Sequence, residues 1–80
     1  MKIRYDELRV NDVIRFHGAN VRITNVIETL APANDFYLNE KTIIFDIVPA
    51  DEECIKLLGY FYSYGTYSGV GCLMTELVSR

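Results

Sequence analysis

The sequence predicts one mostly-β domain over residues 1–80, with about five to seven short strands curled into a small closed or half-open barrel and at most one short helix. Three observations point there. Apolar and polar residues alternate with period two over residues 13–27, the pattern of strands with one buried face. Residues 42–48 are rich in β-branched side chains and run into Pro49, which has no N–H to give a ladder. The chain has 80 residues, 50% of them apolar; that is too much apolar surface for a disordered polypeptide. In so small a domain, curling the sheet is an economical way to hide strand edges.

Taken in order, Lys2 and Arg4 alternate with Ile3 and Tyr5, which predicts a short first strand. Residues 6–9 read as a turn. Asn11 then stands where the chain enters the second strand, at a position that often needs a left-handed backbone, which Asn tolerates. In the next hairpin Ile14 and Phe16 share a face, and so do Val21, Ile23, Asn25 and Ile27. A two-residue Gly18-Ala19 turn of type II′, or a four-residue loop over 17–20, pairs Phe16 with Val21 and Ile14 with Ile23. A three-residue loop would mix the faces.

Residues 29–39 have no steady period and hold Pro32, Asn34 and Asp35, so they read as a long loop in which Phe36-Tyr37-Leu38 packs back or forms a brief strand. Residues 39–41 are a turn, and the 42–48 strand buries Ile43, Phe45 and Ile47. Residues 51–58 are the one candidate helix. Asp51 caps it, Glu52 and Glu53 suit its positive end, and Gly59 closes it. Eight residues are few for an independent helix, so a turn followed by a strand from Ile55 is the alternative. Tyr60-Phe61-Tyr62-Ser63-Tyr64 alternates as a strand, residues 65–71 form a glycine-rich loop or hairpin, and residues 72–78 form the last strand.

Composition narrows the function classes. The net charge is −3, which disfavours non-specific duplex DNA binding. The charge is uneven: residues 1–27 carry five basic and three acidic side chains, and residues 28–80 carry three basic and eight acidic ones. Cys54 and Cys72 follow a charged N-terminal stretch with no apolar signal core, so two reduced thiols in a cytoplasmic, water-soluble protein are expected. No apolar run approaches the ~20 residues that cross a bilayer. One histidine and no Cys-x-x-Cys pair give no metal site, and no cofactor is expected. Nucleophile-elbow, Walker and His-Glu-x-x-His motifs are missing, and Cys54 and Cys72 have no evident base, so the chain reads as non-catalytic.

The stretch Leu8-Arg9-Val10-Asn11-Asp12-Val13-Ile14-Arg15-Phe16, followed by Val21-Arg22-Ile23, resembles the opening of SH3-like small barrels. There an apolar-x-apolar-Gly-Asp-x-apolar segment starts the first barrel hairpin; Asn11 takes the place of the usual Gly. The resemblance implies a fold and no activity.

Three groups of residues stand out. Tyr60, Tyr62, Tyr64 and Tyr67, amid Gly65, Gly69 and Gly71, offer phenol rings on one strand face, with glycines that admit a ligand to the backbone. They serve either as a partner-binding face or as a cap on the barrel core. Arg15 and Arg22 are placed as cross-strand neighbours by the Gly18-Ala19 register. Like charges so paired repel, so they either hold an anion between them or splay into solvent. Asp46, Asp51, Glu52 and Glu53 form an acidic group, read as a helix N-terminus and solvated surface or as a phosphate mimic.

The leading expectation is a protein-binding module or accessory subunit whose partner is another protein or a second copy of itself. Compact domains of this size serve phages and mobile elements as inhibitors or adaptors. The alternative is a nucleotide or single-stranded nucleic-acid binding domain, with tyrosines stacking on bases and Arg15 and Arg22 holding phosphate.

Overall fold

The computed structural model describes residues 1–30 and 39–80. The expected packing of Phe36-Tyr37-Leu38 lies outside the described residues. The chain forms β1 (Lys2–Arg4), a 3-10 turn (Tyr5–Glu7), β2 (Val13–Phe16), β3 (Ala19–Thr29), β4 (Thr42–Pro49), α1 (Glu52–Ser63), β5 (Gly65–Val70) and β6 (Met74–Ser79). The six strands make one sheet in the order β1-β6-β2-β3-β4-β5, antiparallel at every step.

The sheet is open, which corrects the closed form of the expected closed or half-open barrel. It is nevertheless curled. From β5 to β6 is four strand spacings, roughly 19 Å if flat, whereas the chain from Val70 to Met74 reaches about 15 Å at most. Closure fails because β1 has only three residues and the chain then turns into the 3-10 segment. Tyr5 N–H donates to the Leu73 carbonyl (2.9 Å) and Asp6 N–H to that of Gly71 (3.1 Å). Those bonds tie the β1 end to the β5–β6 connection without a β1–β5 ladder.

One sheet face carries the core. Ile14, Val21, Ile23, Ile43, Phe45 and Ile47 are buried there as their alternation predicts, with Cys54 of α1 packed on them. Tyr5 stacks on Phe45 with ring centroids 5.7 Å apart, and Phe16 meets Phe45 and Tyr67 edge-on at 5.9 and 4.8 Å. Helix α1 lies over β3 and β4.

The β2–β3 hairpin turns at His17-Gly18, not at Gly18-Ala19. Both residues have positive φ, 51° and 82°, the two-residue I′ geometry that matches strand twist. Phe16 therefore faces Ala19 and Ile14 faces Val21. The expected register was two residues off, a slip that leaves every side chain on its own face, so alternation alone does not reveal it. Asn11 has φ 78°, the left-handed conformation expected of it.

Residues 52–58 are helical behind the Asp51 N-cap, and α1 continues past the expected end to Ser63. Asp51 caps it by accepting the Cys54 N–H at 3.0 Å. Gly59, with φ 78° and ψ 158°, breaks the helical path, and a further turn follows it. The expected strand at residues 60–64 is thus a helical turn that ends at Ser63, with Tyr64 its extended C-cap, and the expected loop or hairpin at 65–71 is mostly strand β5. No helix among the described residues is long and apolar enough to cross a membrane.

Candidate functional site: an exposed aromatic turn

Beyond Gly59 the helix needs only one inward residue, and Ser63 supplies it. Its hydroxyl is fully buried, lies 2.7 Å from the Gly59 carbonyl to which it donates, and receives the Cys54 Sγ at 3.7 Å. The side chains around it turn outward. Phe61 is 82% exposed, Tyr60 72%, Tyr62 62% and Tyr64 45%. Leu57, one turn earlier, is also exposed. The rings pair among themselves, Tyr60 with Tyr64 at 5.1 Å and Phe61 with Tyr62 at 5.4 Å. At ~200 Å² per aromatic side chain, these exposures leave on the order of 500 Å² of ring surface open, near the upper end of what a monomer usually shows in one patch.

The expected site residues divide. Tyr60, Tyr62 and Tyr64 lie together on this turn, on a helical path and not on one strand face. Tyr67 stands apart from them on β5, half-buried against Phe16 and Phe45; only its hydroxyl reaches back, donating to the Tyr62 carbonyl at 3.1 Å. Gly65 starts β5. Gly69 opens its backbone to the Tyr5 ring of the core: a Cβ there would lie 2.8 Å from it. Phe61 was missed, because a strand reading puts it on the buried side of Tyr60 and Tyr62. The available signal was Gly59, which marks the end of one helical path and permits another.

Arg15 and Arg22 are not directly opposite. Arg15 faces Asn20 on β3 and Glu76 on β6, while Arg22 faces Val13. Arg22 donates from Nη1 to the Asn11 carbonyl at 3.0 Å. With a carboxylate in register beside Arg15 and a carbonyl on Arg22, the like-charge conflict that called for an anion is gone. The acidic group also divides. Asp46 on β4 accepts from the Thr66 hydroxyl, and Asp51 caps α1 and accepts from Asn20 Nδ2 at 3.2 Å. Glu52 and Glu53 sit in the first helical turn, where their charge suits the helix dipole.

A feature of the hairpin base went unread in the sequence. Asp12 is 1% exposed. It accepts the Arg9 N–H at 2.9 Å and two bonds from Arg80, Nε and Nη2, each at 3.1 Å. Those bonds raise the pKa of the Arg80 guanidinium above its ordinary value. Arg80 also donates to the Glu7 carbonyl at 3.1 Å, so this cluster fastens the end of β6 to the start of β2. Both ends of the ion pair are occupied within the fold, which makes it a structural tie.

Among the described residues no enclosed pocket is present, and no group of three or more His, Cys, Asp or Glu side chains is placed to hold a metal ion. Cys54 and Cys72 are not joined to each other. No protein-family model, curated protein or solved structure matches the chain.

Proposed function

We propose that this protein is a non-catalytic protein-binding module whose contact surface is the turn formed by Tyr60, Phe61, Tyr62 and Tyr64. The observation that supports this reading is the exposure of four aromatic rings in one short turn whose only buried side chain is Ser63. The fold uses the backbone of this turn and Ser63, and it leaves the rings free. Tyrosine and phenylalanine in such a setting provide large, stiff contact area at low entropic cost, and aromatic residues dominate the energetics of protein contacts. Among the described residues no enclosed pocket is present, whereas small-molecule sites are concave, so a macromolecular partner fits this surface better than a nucleotide does. The nucleic-acid reading relied on a tyrosine platform along one strand and an arginine pair. The helical turn and the hairpin register remove both supports.

The test compares wild-type protein and Phe61→Ser as immobilised baits. Phe61 is largely solvent-exposed, so the variant is expected to unfold at the wild-type denaturant midpoint while losing the proteins that wild type retains. Identical retention by the two baits contradicts the proposal. So does oligonucleotide binding that weakens steeply with salt and disappears in an Arg15→Ser/Arg22→Ser variant, which would return the nucleic-acid reading to first place.

A further inference from the structure

We infer that the aromatic turn and the adjoining free edge of β5 form the interface of a homodimer. The inference rests on the reading of the turn as a protein-contact surface and names the partner as a second copy of this chain.

The two edges of the sheet differ. Edge strand β1 has three residues, and two of them are Lys2 and Arg4, the short and charged form that blocks further pairing. Edge strand β5 has six residues, Gly-Thr-Tyr-Ser-Gly-Val, with no charge, no proline and a regular register against β4. Tyr5 and the 3-10 turn approach its far end, at Gly69 and Gly71. Over residues 65–68, no backbone hydrogen bond other than those to β4 is formed among the described residues. That stretch is a bare edge of the kind that accepts another strand.

Charge argues for a second copy. Between Lys56 and Glu76 lie nineteen consecutive residues, 57–75, with no Asp, Glu, Lys or Arg, in a chain that is 24% charged. This run holds the aromatic turn and all of β5. A protein of net charge −3 repels its own copies through most of its surface, but here two copies meet without like charges opposed. The turn and β5 themselves offer a charged partner no ion pair; the nearest charge is Asp46 on β4, already hydrogen-bonded to Thr66.

Area is consistent with the same occupant. In an antiparallel pair of β5 edges each turn lies beyond Gly65, beside the far end of the partner copy's β5, and the rings of the two copies together bring up to about 1,000 Å² of open surface to the contact. The exposed Leu57 side chains and the paired β5 edges raise this into the ~1,200–2,000 Å² range of stable interfaces. Antiparallel pairing of β5 with its own copy is isologous, so the same residues serve both sides and the assembly closes as a two-fold dimer.

Sedimentation velocity across a concentration series tests the inference, with wild type, Phe61→Lys and Ser68→Lys compared. Wild type is expected to pass from monomer to dimer. Each variant places a charge on both sides of the two-fold and is expected to weaken the dimer by roughly 30-fold or more, the size of a hot-spot loss. Phe61 and Ser68 are both exposed, and circular dichroism checks that each variant keeps its fold. Hydrogen exchange at residues 65–68 is expected to slow as wild-type protein is concentrated. A wild type that stays monomeric at high concentration overturns the inference, even if Phe61→Ser loses a captured partner and the module reading stands. A dimer that persists in both variants, or higher oligomers without concentration-dependent protection of β5, also overturns it.

Discussion

A Cβ placed on Gly69 would meet three atoms of the Tyr5 ring at 2.8–2.9 Å, closer than such atoms approach one another. Tyr5 is held from the other side by its stack on Phe45, so the ring has little room to yield. Gly69→Ala is expected to cost about 1–3 kcal/mol, the range for forcing extra volume into a packed core, measured by equilibrium denaturation. Asp12 makes a second residue-scale case. Asp12→Ala strands the Arg9 N–H and two Arg80 bonds. Arg80 is partly solvated and finds water in their place, so the expected loss is about 2 kcal/mol, from the lost charge-assisted bonds and the part-buried Arg9 N–H left without its partner. Arg80→Ala, which leaves a buried carboxylate without its cation, is expected to lose a comparable amount, read from the same denaturation curves. Neither role was visible in the sequence. A contact between residues 5 and 69, or 12 and 80, depends on how the sheet curls, and no local pattern encodes that.

At the scale of elements, α1 is two helical pieces joined at Gly59. Its φ and ψ lie in a region essentially reserved for glycine. Gly59→Ala is expected to destabilise the protein by roughly 1–3 kcal/mol, visible as a lower denaturant midpoint. A neutral or stabilising result would show that the kink is dispensable. The strands with one buried face, β2 through β4, were legible because alternation reports burial directly. The turn at 60–64 was misread because Tyr-Phe-Tyr-Ser-Tyr has both period two and strong β propensity. Tertiary structure overrides both: burying Ser63 under Cys54 satisfies its hydroxyl on the Gly59 carbonyl, and that requires a helical path. Residues 65–71 read as a loop or hairpin for their glycines. Gly69 is instead what lets a strand pass beneath Tyr5, so its lack of a side chain serves packing.

For the whole molecule, the mostly-β class was legible from composition and period, and closure was not. Whether six strands close depends on the length of β1 and on where the 3-10 turn docks, and both are settled by contacts between opposite ends of the chain. The curled open sheet hides one face under α1 and leaves two outlets for unused surface, the bare β5 edge and the aromatic turn beside it. Of the expected site, Tyr60, Tyr62 and Tyr64 came together for a different reason than alternation, and Phe61 joined them. The central claim is that these rings contribute contact surface and almost no stability. Equilibrium denaturation of the triple variant Tyr60→Ser/Phe61→Ser/Tyr62→Ser, at concentrations too low for association, tests it most directly. The account predicts an unfolding free energy within about 0.5 kcal/mol of wild type for each site changed. A loss of several kcal/mol per ring, the cost of emptying a core, would contradict it.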